Sequence, residues 1–88
     1  MKHLDWDEAK NRKLMAERGV SFEQCAVRIE SGQVLVVRKN KSPYEHQQVY
    51  VIEIDAYVYL IPSVEDEEKI FLKTIIPSRK ATKEFLKQ

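Results

Sequence analysis

Residues 47–54 and 57–61 place the tightest constraint on this chain of 88. They are two runs rich in β-branched and aromatic residues, and only Asp55 and Ala56 lie between them. A two-residue connection closes an antiparallel hairpin. Both runs are apolar at consecutive positions, and a strand turns successive side chains to opposite faces. Both faces of the hairpin are therefore apolar, as in central strands that need cover on two sides. The rest of the chain has to supply that cover.

Helical signals flank the hairpin. Asp5 and Glu8 form a D-x-x-E start, predicting a helix that runs to Arg18, with Gly19 as its left-handed stop. Ser21 and Gln24 repeat the capping pattern at once. Phe22, Cys25, Ala26 and Ile29 then recur at helical spacing and make an apolar stripe suited to a sheet. That helix is expected to end at Ser31-Gly32. Val34-Leu35-Val36-Val37 opens the strand region and runs into Arg38-Lys39-Asn40-Lys41, with a loop over 42–45. Pro62 marks the end of pairing or an edge position. Glu65-Asp66-Glu67-Glu68 reads as a solvated turn into a strand over 70–76, which Pro77 ends before Ser78 caps a last helix. The expectation is an α+β domain over residues 1–88: two N-terminal helices, a four-stranded antiparallel sheet and a C-terminal helix.

A chain this short buries about 60–65% of its unfolded surface, enough for one modest core. No apolar window is long enough for a membrane span, and no secretory leader is visible. A single cysteine, Cys25, excludes an internal disulfide framework and any CxxC metal site. These features predict a cytoplasmic protein with no membrane partner. The net charge of +1 conceals a polarised molecule. Residues 69–88 carry six Lys or Arg against the one acid Glu84, next to four consecutive acids. The basic end suits an anionic partner. Attraction to phosphate is the same whether or not a reaction comes after binding, so an RNA-cleaving enzyme and a non-enzymatic module of a DNA-bound complex both stay open.

Arg79 and Lys80 fall in the first turn of the last helix, where the dipole disfavours each by roughly 0.3–1 kcal/mol. Cations placed against that rule suggest a role other than stability. The planar fork of Arg79 suits two phosphate oxygens, with first-turn N–H groups as further donors; the alternative is a salt bridge to the acidic turn or to Glu84. Lys10 lies in line with the Trp6–Leu14 stripe, and is either buried by a partner surface or snorkels past the apolar side chains. Lys13, on the same side, is a candidate phosphate contact. Lys73, read with Phe71 and Ile75 on one strand face, is either a phosphate ligand or a charge that protects a sheet edge. Lys80 and Lys83 suit unspecific backbone contacts. His46 is the one neutral-pH acid or base in a plausible place, unless it is merely solvated. Trp6 and Tyr44 are the aromatic residues expected to be exposed for base stacking, the remainder being core. Cys25 reads as a small core residue. No zinc site, phosphate loop, serine triad or paired-carboxylate site is present, and no metal or cofactor is expected.

Trp6-Asp7-Glu8-Ala9-Lys10, followed by Gly19-Val20-Ser21-Phe22-Glu23, resembles the opening of the BrnT family of toxins. Ile75-Ile76-Pro77-Ser78-Arg79-Lys80-Ala81-Thr82 resembles that family's ending, a strand closing on Ile-Ile-Ser-Ala-Arg before a basic helix. The middle matches only in strand order. The chain departs from the usual pattern at Leu14, at Glu17-Arg18 and at Thr74. The resemblance implies a RelE-like fold and the toxin half of a bacterial type II toxin–antitoxin pair. It also implies endoribonuclease action on mRNA without a metal, neutralisation by a ribbon-helix-helix antitoxin, and contact with operator DNA only through the antitoxin complex. Such cleavage needs an aligned 2′-hydroxyl and a cation near the developing phosphorane charge. On this reading Arg79, Lys10 and His46 are the catalytic candidates, and Trp6, Lys13, Tyr44, Lys73, Lys80 and Lys83 bind RNA. It requires Lys10 and Arg79, from opposite ends of the chain, to meet at one phosphodiester. The alternative is an inactive relative kept as a non-catalytic antitoxin-binding and DNA-regulatory module.

Overall fold

A computed structural model describes residues 2–39, 43–44 and 46–86. In chain order the elements are β1 (His3–Asp5), α1 (Glu8–Arg18), α2 (Phe22–Glu30), β2 (Val36–Lys39), β3 (Gln47–Ile54), β4 (Tyr57–Glu65), β5 (Lys69–Leu72), β6 (Ile76–Pro77) and α3 (Arg79–Phe85). Asn40 and Lys41 of the basic run, and Ser42 and Glu45 of the expected loop, lie outside the described residues.

The helix ends follow from local chemistry. Asp7, not Asp5, caps α1, its Oδ1 accepting from the N–H groups of Ala9 and Lys10 at 2.9 and 3.2 Å. Gly19 closes the helix at φ 69°. At α2, Ser21 and Gln24 form the full reciprocal capping box. Asp55 and Ala56 both have positive φ, 52° and 64°, the pattern of a two-residue turn whose twist matches its strands. β3 and β4 then pair without a break from Ile54↔Tyr57 to Gln47↔Val64.

Alternation along the hairpin builds two layers of core. Tyr50, Ile52, Ile54 and Ile61 pack with Leu14 of α1 and with Phe22, Cys25 and Ala26 of α2. Val51 and Val58 point the other way and pack with Ala81, with Phe85 and Leu86 beside them. Thus α1 and α2 cover one face of the sheet and α3 part of the other. Phe22, Ile52 and Ile61 have no exposed surface. Burying side chains of this size stabilises the fold by about 1.5–3 kcal/mol each.

The expected four-stranded antiparallel sheet, preceded only by helices, is not what forms. Among the described residues the sheet has six strands in the order β1-β5-β4-β3-β2, with β6 also on β4, and it is mixed because β1 runs parallel to β5. His3, Leu4 and Asp5 pair with Lys69, Ile70 and Phe71. Leu4 joins the α1–α2 core, while Asp5 Oδ1 accepts from the Trp6 N–H at the strand's end. A three-residue strand whose partner lies near the far end of the chain leaves no local periodicity to detect.

Pro62 does not end pairing, because β4 continues through it to Glu65. Counted from the two-residue turn, Val49↔Pro62 is a non-hydrogen-bonded pair. The missing N–H of Pro62 therefore faces the opposite edge, where the chain bulges. There Ile61 and Pro62 oppose three residues, Lys73, Thr74 and Ile75, between the β5 and β6 registers. The Lys73 N–H reaches the Pro62 carbonyl at 2.8 Å. The strand expected over 70–76 is thereby split. Ile75 returns to the α1–α2 core, whereas Phe71, paired with Val64, lies on the opposite face. Phe71, Lys73 and Ile75 consequently do not share one face. Arg18 Nη1 donates to the Ile75 carbonyl at 2.9 Å and fastens α1 to the bulge.

Candidate functional site

α3 is held on β4 by a compact set of hydrogen bonds. Ser78 caps the helix, its Oγ accepting from the Ala81 N–H, while its own N–H donates to the Val58 carbonyl. Thr82 Oγ1 donates to the Ser78 carbonyl at 2.7 Å and accepts from the Val58 N–H at 2.9 Å. With Ala81 buried against the sheet, Arg79, Lys80 and Lys83 are left exposed on the outer surface of the helix. Alternation along β2 places Arg38 on the α3 side, two residues beyond Val36, which packs in the same core as Ala81.

Between α3 and the strands is a cleft of about 440 Å³, lined by Arg38, Leu60, Ser78, Lys80, Ala81 and Glu84. Its floor is apolar and its rim carries two cations and one carboxylate. Arg38 Nη2 lies 3.7 Å from Glu84 Oε1, and its guanidinium carbon stands 5.7 Å from the Phe85 ring centre. This arrangement can bind an anion beside an apolar surface, as a nucleotide requires. A second cleft of about 490 Å³, beside the hairpin turn, is lined by Glu53 and Asp55 with Arg28 as its one cation. Arg28 already donates to the Glu53 and Gln24 carbonyls, so that cleft is poorly suited to phosphate.

The sequence-predicted residues divide between the two sides of the sheet. Arg79, Lys80 and Lys83 share α3, and Lys80 lines the cleft. Among the described residues Arg79 makes no ion pair; Glu84, one of its expected partners, is engaged by Arg38. Lys10 and Lys13 are exposed on α1, which packs on the opposite face. The sheet stands between the helices carrying Lys10 and Arg79, and neither residue lines the α3 cleft. Lys73 is exposed in the bulge. His46 is exposed at the start of β3, where its carbonyl accepts from the Glu65 N–H. Tyr44 is 55% exposed and so available for stacking. Trp6 is partly buried and stacks on Phe22 at 5.8 Å, which makes it a core contact rather than an open base platform.

Arg38 was not singled out by its sequence. The signal was present in the basic run after Val34–Val37, but assigning Arg38 to the α3 side needs the Arg38↔Val49 register. On the opposite face lies a polar network. Gln48 Nε2 donates to Tyr50 Oη and to Glu65 Oε1, and the Lys2 ammonium reaches Glu65 Oε2 at 2.6 Å. Burial, and then the Glu65 carboxylate, raise the Tyr50 hydroxyl above its ordinary value. The Lys2 hydrogen bond holds Glu65 low, and the backbone N–H groups of Lys69 and Glu68 do the same for Asp66. Burial lifts the Cys25 thiol to about 12, against a smaller opposing pull from Arg28, so it is inert core.

No described helix is long and apolar enough to cross a membrane. The family model described as "Ribonuclease toxin, BrnT, of type II toxin-antitoxin system" matches residues 6–84. No curated protein and no solved structure matches the chain.

Proposed function

The chain belongs to the BrnT family of ribonuclease toxins of type II toxin–antitoxin systems, and on that premise we propose that it is a metal-independent endoribonuclease that cleaves mRNA and so stops translation. The observation that supports this most is the grouping of Arg79, Lys80 and Lys83 on α3 beside Arg38 and an apolar-floored cleft. In the reaction the 2′-oxygen attacks phosphorus and the bond to the 5′-oxygen breaks. A 2′,3′-cyclic phosphate and a 5′-hydroxyl result. The proton lost by the 2′-hydroxyl is balanced by the one gained at the leaving oxygen, and no co-reactant is needed. Arg79, assisted by Lys80, stabilises the extra negative charge of the phosphorane. Lys83 and Lys73 hold the flanking backbone, and Tyr44 offers a stacking surface. Lys10 and Lys13 attract RNA from the other face, and His46, which meets Glu65 about 20 Å along β4 from the Val58 contacts of α3, is too distant to carry the proton at a phosphate held by Arg79.

Membership of the family implies an antitoxin partner. We assign it to the ribbon-helix-helix type, with operator DNA contacted only by the complex and the pair acting in the cytoplasm. Val37 on the outer edge strand β2 and Leu35 just before it, 41% and 40% exposed, offer it an apolar strip.

A second reading, a non-catalytic module that binds the antitoxin alone, is favoured by one observation: the sheet separates Lys10 from Arg79. One experiment decides between them. Purified protein is incubated with RNA in the presence of EDTA and the product ends are mapped. The enzyme reading expects cyclic-phosphate and 5′-hydroxyl ends, and a loss of about 100-fold or more in Arg79→Ala. Intact RNA with the wild type, together with tight antitoxin binding, selects the module.

A further inference from the structure

Arg38 has the features of a ligand-binding residue that its present contacts do not explain. Its ion pair with Glu84 spans 3.7 Å, with the side chains 51% and 54% exposed. A pair so open to water adds little to stability. The contact nevertheless fixes the guanidinium at the rim of the α3 cleft, with Lys80 as the other cation lining it. Phe85 lies 5.7 Å away and restrains the guanidinium further. Glu84 is one turn along α3 from Lys80, so its carboxylate sits where an incoming anion would find both cations.

We propose that Arg38 is a phosphate-binding residue for the RNA substrate, held in position by Glu84 and Phe85 until a phosphodiester displaces the Glu84 carboxylate. The exchange replaces one single negative charge with another, so the cleft never presents an uncompensated guanidinium. The phosphodiester offers two non-bridging oxygens to the fork, whereas Glu84 reaches one nitrogen at long range. Leu60 and Ala81 supply the apolar floor that a ribose or base edge requires and a simple anion does not. Arg79, Lys80 and Lys83 continue the positive surface along α3, which suits a polyanionic strand better than a single acidic side chain. The proposal rests on the ribonuclease reading and adds to it a substrate contact on β2 and a carboxylate that competes with substrate.

The test measures binding of a fluorescent single-stranded RNA, blocked by 2′-O-methyl groups, to full-length protein by anisotropy across a salt series. Arg38→Ala is expected to bind about fivefold more weakly, with the log–log salt slope reduced by about 0.7. Arg38→Lys should recover part of that affinity, because the charge returns without the fork. Glu84→Gln is expected to bind about two- to fivefold more tightly, since the competing carboxylate is gone. In the Arg38→Ala, Glu84→Gln protein that gain should disappear. A gain that persists in the double variant is mere loss of negative charge and overturns the displacement. Wild-type affinity in Arg38→Ala, with an unchanged slope, overturns the assignment while leaving the ribonuclease reading intact. Weakened antitoxin binding without any effect on RNA also overturns it, and gives Arg38 to the protein partner. If no RNA binds to the wild type, the ribonuclease reading and this proposal fall together.

Discussion

Asn11 shows how one side chain can couple two helices. It is fully buried, and Oδ1 accepts from the Phe22 N–H at 2.7 Å at the start of α2. Nδ2 donates to Glu23 at 2.7 Å and to Glu8 at 3.2 Å. Replacing Asn11 with Ala leaves the Phe22 N–H buried without a partner. The expected loss is about 2–3 kcal/mol, read as a lower urea midpoint at unchanged m-value. Asn11→Asp should be at least as damaging, because a third carboxylate then faces Glu8 and Glu23. Neither change should alter RNA affinity measured below the unfolding transition. Asn11 was invisible in the sequence because the helix stripe runs through apolar positions such as Leu14. A buried amide announces itself only through partners on another element. By contrast, Cys25 was legible as core, since the Phe22, Cys25, Ala26 and Ile29 spacing needs no tertiary information.

Elements whose signals are local were legible in the sequence, and those defined by a distant partner were not. Gly19, the Ser21–Gln24 box, the Asp55-Ala56 turn and the Ser78 cap each satisfy neighbouring backbone groups, and each stands where expected. β1 and the bulge opposite Pro62 depend on strands far along the chain, and no local signal marks either. The turn itself carries a correctable strain, because Ala56 sits at φ 64° with a Cβ that disfavours this region. Ala56→Gly should raise stability by about 0.5–1 kcal/mol, the relief exceeding the added freedom of the unfolded chain. Equilibrium urea unfolding measures it, and a decrease would show that the turn is not strained. The link between β1 and the acidic turn has a pH signature. Glu65 and Asp66 both titrate below their ordinary values of 4.5 and 3.8. Their contribution is therefore complete above those values and is lost as pH falls through the lower folded ones. Lys2→Met removes the largest cause of the Glu65 shift. The urea midpoint of that variant should fall less steeply than the wild type's as pH is lowered from 4.5.

At the scale of the whole molecule, the open matter was which face of the sheet each helix covers. The cations were legible in part: of the six in residues 69–88, Arg79, Lys80 and Lys83 share α3 and face Arg38 across the cleft, whereas Lys69 pairs with Asp5 on β1 and Lys73 stands in the bulge. Their expected meeting with Lys10 was not something a sequence can decide. An apolar stripe shows that a helix packs on a sheet, but both faces of this hairpin are apolar. Here α1 takes the face of Ile52 and α3 that of Val51. This separation has a thermodynamic consequence that a double-mutant cycle measures. Residues on opposite faces of a sheet, with no shared partner, act independently, so Lys10→Ala and Arg79→Ala should change RNA affinity additively to within about 0.3–0.5 kcal/mol. Arg38→Ala and Lys80→Ala, which line one cleft, should instead show a coupling of about 0.5 kcal/mol or more. Both cycles use the same blocked RNA, so a global change in charge enters each equally. Strong coupling between Lys10 and Arg79 would mean that one phosphodiester reaches both around the sheet edge, and the site would then extend past the bulge at Lys73 to α1. Additivity there, with coupling across the cleft, assigns the phosphate site to α3 and β2 and leaves Lys10 a long-range electrostatic role.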